Sequence, residues 1–132
     1  MKALFPYAET TDGFTVRVAV NYMAEQSEPA KYRWFWAYHI RIENDGDKAA
    51  QLLTRHWEIS DARGALQMVD GEGVVGDQPV IKPGASYDYV SGCPLSTSTG
   101  AMHGSFQMIG EDGVRFDIGV PHFHLIAPSV KV

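Results

Sequence analysis

The chain has 132 residues and a mass of 14.6 kDa, enough for one domain with a proper core and too short for two. With 45% hydrophobic and 20% charged residues it lies outside the class that stays disordered. Its net charge of -5, from 16 acidic and 11 basic residues with no Lys/Arg cluster, excludes the electrostatic footprint of a nucleic-acid binder and disfavours anionic membranes.

At the N-terminus, MKALFPYAETTDG carries one Lys and a short apolar patch broken by Pro6. That patch is shorter than a signal peptide's apolar core, and no small-residue cleavage site follows it. No apolar run approaches the ~20 residues of a membrane helix. The single cysteine, Cys93, cannot form an internal disulfide, so the cytoplasm is the expected compartment.

Period-two alternation then dominates. In FTVRVAVNY, Phe14, Val16, Val18, Val20 and Tyr22 share one face. The helix-like stretch from Glu25 to Lys31 is interrupted by Pro29, a strong breaker. RWFWAYHIRIEN follows, with Trp34, Trp36, Tyr38, Ile40 and Ile42 in phase. In LLTRHWEIS the inward set is Leu53, Trp57 and Ile59, with Arg55 on the same face and in need of a partner. Tyr87 and Tyr89 mark another strand, and Met102, Gly104, Phe106 and Met108 the next. The last is marked by Val114, Phe116, Ile118 and Val120. Asp12-Gly13, Asn44-Asp45-Gly46, Arg63-Gly64, Pro83-Gly84 and Asp112-Gly113 punctuate these runs, the last pair as a tight hairpin. Short strands separated by turns every ~8 to 12 residues predict a single all-β domain, an antiparallel β-sandwich of about seven or more strands, immunoglobulin- or fibronectin-type-III-like.

Between those strands lies DGEGVVGDQP, with Gly71, Gly73 and Gly76 at the spacing associated with cofactor phosphates. Prolines at 79 and 83 forbid the helix whose N-terminus would receive a pyrophosphate, and Asp70, Glu72 and Asp77 would repel one. The expectation is an irregular loop in which glycines supply positive φ, with a backbone anion nest as the ligand-binding alternative. The same carboxylates fall short of a calcium loop, because Val74 and Val75 occupy ligand positions.

His122 and His124 are the metal candidates, since i and i+2 on a strand share a face. The apolar phase runs on even positions to Val120 and switches to odd positions at Phe123 and Leu125. Pro121 at the switch predicts a bulge or a strand edge, and the two histidines then point away from the core. Cys93 reads as a small buried hydrophobe. A Cys93–His56 or Cys93–His103 pair is the catalytic alternative, and the G-x-S-x-G, H-E-x-x-H and C-x-x-C patterns are absent.

T-R-H-W at 54–57, G-E-G-V-V-G-D-Q-P at 71–79, P-G at 83–84, the segment from Tyr89 to Met108 and F-D-I-G-V-P-H-F-H-L at 116–125 closely resemble the ApaG family, with Y-H-I-R-I-E-N at 38–44 fitting its first core strands. The resemblance spans nearly the whole chain and makes residues 1–132 one ApaG domain. It implies a fibronectin-type-III-like sandwich. Bacterial members, also called CorD, are linked to cobalt resistance and magnesium efflux, and the eukaryotic domain is joined to F-box proteins and to a polymerase-delta-interacting protein. The expected function is therefore a non-catalytic, cofactor-free module for protein–protein interaction, tied indirectly to Co2+/Mg2+ homeostasis. The partner is an unidentified protein, not a nucleic acid or a membrane. Exposed members of Trp34, Phe35, Trp36 and Tyr38 are candidate anchors, and uncovered sheet edges leave a homodimer open. The alternative is a sensor of pyrophosphate or a dinucleoside polyphosphate, free or as its Mg2+ complex, through the loop from Gly71 to Gly76.

Overall fold

The computed structural model describes residues 4–128, which form nine strands and two single-turn 3-10 helices. The strands are β1 (Tyr7–Thr11), β2 (Phe14–Tyr22), β3 (Trp34–Asn44), β4 (Ala50–Asp61), β5 (Leu66–Glu72), β6 (Val80–Ile81), β7 (Ser86–Leu95), β8 (Thr99–Gly110) and β9 (Arg115–Ile126). They make two antiparallel sheets, ordered β1-β2-β3-β7 and β5-β4-β8-β9, with β6 paired to the start of β4. The helical turns, Ala24–Gln26 and Pro29–Lys31, flank the break expected at Pro29, which opens the second of them.

Alternation explains the layers. Val16, Val18, Trp36, Ile40 and Ile42 of the first sheet face Leu52, Trp57, Met102, Phe106 and Ile118 of the second, all buried. Each such side chain contributes roughly 1.5–3 kcal/mol on leaving water. The Trp57 ring is the hub, 5.4 Å from Tyr38, 6.0 Å from Phe123 and 6.3 Å from Phe106, each edge-on. At one end, Asn44 is 1% exposed yet fully bonded. Its Nδ2 donates to the carbonyls of Lys48 and Ile81, both at 2.9 Å, and its Oδ1 accepts the Gly46 N–H.

Two strand assignments need correction. Leu52, not Leu53, is the core residue of β4, because a bulge puts Leu53 between the pairs Leu52–Met108 and Thr54–Gln107. Val114 precedes β9 and is 59% exposed, because it belongs to the turn in which its carbonyl accepts the Gly110 N–H. The switch at Pro121 is a bulge on an edge strand: His103 of β8 faces both Pro121 and His122 of β9, and Phe123 and Leu125 re-enter the core.

The two lateral sides of the sandwich differ. On one, β1 and β9 close on each other: the Gly119 N–H donates to Thr11 Oγ1 at 3.1 Å, and the Tyr7 and Phe123 rings meet at a tilt, 6.0 Å apart. On the other, β5 and β7 have no further strand beyond them among the described residues, and a cleft of about 350 Å3 lies between them.

Candidate functional site

The glycine stretch is a miniature hairpin beside this cleft. The Val74 N–H donates to the Asp77 carbonyl at 2.8 Å and the Asp77 N–H returns to Val74 at 2.9 Å. The two residues between, Val75 and Gly76, have φ of 43° and 85°, a type I′ turn. Gly76 supplies that handedness with open space around it. Gly73, at φ 64°, lets the chain approach the Asp77 carbonyl so closely that a Cβ would collide with it. Gly71 has another reason: a Cβ there would lie 2.7 Å from the Arg55 guanidinium carbon. A valine at positive φ is strained, and Val75 holds that strain at the lip of the cleft, 56% exposed.

The N–H groups of Gly73, Val74 and Asp77 are all consumed within the fold, the first by the Leu53 carbonyl at 2.8 Å. That carbonyl also accepts from Gln78 Nε2, so the Leu53 bulge is what anchors the hairpin to β4. The Asp77 carboxylate accepts the Tyr87 hydroxyl at 2.9 Å. A phosphate would meet turn geometry and carboxylates here, with these three donors already engaged.

Arg55 stands behind the hairpin. Its Nη1 donates to the carbonyls of Glu72 and Gly73 at 2.9 and 3.0 Å, the two bonds its guanidinium makes among the described residues. In sequence the nearest basic residues to the loop are Arg63 and Lys82. The pairing register instead places Arg55 opposite Gly71. The turn signal at Arg63-Gly64 held this information, because positions 55 and 71 each lie eight residues from 63.

Arg55 shares the cleft with Tyr38, Tyr89, Ser91 and Cys93, against walls that include Trp57, Val69, Val74 and Met102. Burial raises the Tyr38 hydroxyl, with the Ser91 side chain beside it acting in the opposite sense. Burial also pushes Tyr89 well above the usual phenol range, with Tyr38 and Arg55 both within electrostatic reach. The Tyr89 hydroxyl has no hydrogen-bond partner among the described residues. Burial pushes the Cys93 thiol up to about 11, so it stays protonated and non-nucleophilic near neutrality. The expected alternative of a Cys93–His56 or Cys93–His103 pair is overturned by topology. Cys93 points into the core from β7, whereas both histidines bond Glu58 on the outer face of the other sheet.

That outer face carries a chain of polar groups. His56 Nδ1 lies 2.7 Å from Asp70 and its Nε2 3.0 Å from Glu58, and bonding first to Asp70 and then to Glu58 raises its pKa above the ordinary 6.5. His103 Nε2 lies 3.5 Å from the other Glu58 oxygen, and its ring stacks on His122 at 3.9 Å. His122 and His124 are both exposed on β9, two residues apart on the face away from the core. No third His, Cys, Asp or Glu converges with any pair into a metal set among the described residues.

Of the aromatic anchors, Trp36 and Tyr38 are core residues and Phe35 lies on Gly92, where a Cβ would meet its ring. Trp34 is half-buried, 6.5 Å from Tyr32, which is 67% exposed and was not among the expected anchors. Its neighbour Pro29-Ala30-Lys31 turn ends at Tyr32 in the left-handed region, φ 58°, which lifts the ring outward.

Comparison with known proteins places these features in context. The family model described as the ApaG domain matches residues 24–110. Protein ApaG of Brucella suis biovar 1 (strain 1330) is 50% identical over 125 residues, 95% of this chain and 96% of that one. Protein ApaG of Rhodospirillum centenum is 48% identical over 122 residues, 92% of this chain and 94% of the relative. The crystal structure of an ApaA protein from Bordetella pertussis superposes with a TM-score of 0.85 at 42% identity, covering 89% of this chain and 95% of that one.

Proposed function

The chain belongs to the ApaG domain family, and from that premise we propose that it is a non-catalytic binding module that takes a partner polypeptide along its open side. The observation that carries the reading is the pair of unpaired strand edges, β5 and β7, bordering one cleft. Such edges offer rows of free N–H and C=O groups to an added strand. Apolar side chains stand exposed around them: Met68 at 58%, Val75 at 56% and Val90 at 60%. A protonated Cys93 and histidines held on the far face favour binding over catalysis.

The role in divalent-cation homeostasis suggested by the resemblance would be exercised through that partner, not through a metal held by the domain. A lone thiol fits the reducing cytoplasm to which we assign the protein. Among the described residues no helix is long and apolar enough to cross a membrane. The phosphate-sensor alternative through Gly71, Gly73 and Gly76 gains no support from a hairpin in which the N–H groups of Gly73, Val74 and Asp77 are already engaged.

The test is photo-crosslinking in the native cell from positions 68, 75 and 90, with position 17 on β2, away from the open side, as control. One polypeptide captured from all three open-side positions, together with slowed amide exchange in β5 and β7, is the expected result. Equal capture from position 17, or adducts of the domain with itself alone, would replace this reading with non-specific contact or a homodimer.

A further inference from the structure

We propose that the cleft between β5 and β7 is a binding site for a small organic monocarboxylate, held by Arg55 and the Tyr89 hydroxyl. The proposal goes beyond the polypeptide interface and stands without it.

The Tyr89 hydroxyl is the starting point. The residue is 7% exposed, lines the cleft and has an oxygen with no hydrogen-bond partner among the described residues. Buried hydroxyls are almost always bonded, and leaving one unmade is costly, so this one asks for a partner from outside the chain. A phenol can donate its single O–H or accept, and beside the free N–H groups of Arg55 the partner that serves both is an acceptor.

Arg55 indicates the charge of that acceptor. Its Nη1 is fixed by the carbonyls of Glu72 and Gly73, which sets the plane of the guanidinium and leaves Nε and Nη2 without a bond among the described residues. Among the described residues it is the one cationic side chain lining the cleft, and both Tyr38 and Tyr89 feel its charge. A carboxylate satisfies Arg55 and Tyr89 together through short, charge-assisted bonds.

The rest of the cleft defines the body of the ligand. Trp57, Val69, Val74 and Met102 give it apolar walls, and about 350 Å3 is the small end of the range for ligand pockets. One cation and no acidic side chain line the cleft among the described residues, which favours a single negative charge. A polyphosphate would bring too much.

The experiment is an NMR titration of the whole chain with sodium benzoate, with benzamide and with inorganic phosphate, at matched ionic strength. Benzoate is expected to give saturable shifts confined to residues 73–76, 89–93 and the Arg55 side-chain N–H. Benzamide should give none, and phosphate should bind at least about tenfold more weakly, since it lacks the apolar body. Tyr89→Phe should weaken benzoate by about tenfold while leaving the thermal midpoint unchanged or higher, because it removes an unbonded buried hydroxyl. Arg55→Gln should abolish binding, but it also releases the hairpin, so Tyr89→Phe is the deciding variant. Shifts that stay linear to about 20 mM, well past the millimolar affinity a small ligand of this kind supports, would overturn the proposal. So would equal binding of benzamide, or unchanged affinity in Tyr89→Phe.

Discussion

The two lateral sides of the sandwich are built from the same kind of strand and end differently. Where β1 meets β9, aromatic rings and a backbone-to-threonine bond close the gap between the sheets. Where β5 and β7 run past each other, the gap remains as a cleft lined by a fixed arginine, two tyrosines and a strained hairpin. Sealing takes ordinary packing. The open side instead contains features that packing alone does not explain: an unbonded hydroxyl in Tyr89 and a valine at positive φ in Val75. Both cost stability, and a chain retains such features where it binds something more readily than where it merely folds.

The contrast can be broken by truncating each side in turn. Phe123→Ala, on the sealed side, should cost about 3–5 kcal/mol in urea unfolding, while half-buried Val69→Ala on the open side should cost about 1 kcal/mol. A loss at Val69 as large as at Phe123 would mean that the cleft is core. The hairpin gives a smaller and opposite effect. Val75→Asn supplies the Asn–Gly pair that a type I′ turn prefers, and should stabilise by about 1 kcal/mol and raise the melting temperature by roughly 3–5 °C. Unchanged or lowered stability would show that Val75 is not strained.

The smallest effect concerns how β5 is tied to β4 through His56 and Asp70. The pKa of folded His56 is raised, so its contribution is complete below the unfolded value of 6.5 and is lost as pH climbs through the folded value. Comparing the urea midpoint at about pH 6 and about pH 8, the native chain should gain slightly more on acidification than His56→Gln does. The gain is modest because the imidazole is about a third exposed, 32%. An NMR midpoint for His56 at or below 6.5 would contradict it.

Most of the fold was legible in the sequence because its rules are local. Phe14, Val16 and Val18 alternate into the core as expected, and Asp12-Gly13, Arg63-Gly64 and Asp112-Gly113 mark real turns. The Leu53 bulge was not legible, because it exists only in the pairing of β4 with β8, and one displaced residue transfers the buried position to Leu52. The cleft was harder still. Arg55 was visible as an inward charge needing a partner, yet what it bonds depends on the β4–β5 register and on Gly71 leaving room for it. Tyr89 looked like any other inward residue of its strand. Only the three-dimensional arrangement shows that its buried hydroxyl finds no hydrogen-bond partner among the described residues.

The glycine spacing that resembles a phosphate motif has a consequence for chirality. At Gly76, with φ 85° and nothing within 4 Å, an L-side chain is refused for its handedness, and the mirror-image D-alanine would sit there at ease. At Gly71 a side chain would have to displace the Arg55 guanidinium, which occupies the volume and is bonded to the Glu72 and Gly73 carbonyls. Gly73 refuses on both grounds, with positive φ and a carbonyl oxygen in the way. Three identical letters thus answer to three different stereochemical demands, and their spacing is set by where a hairpin, an arginine and a carbonyl happen to fall.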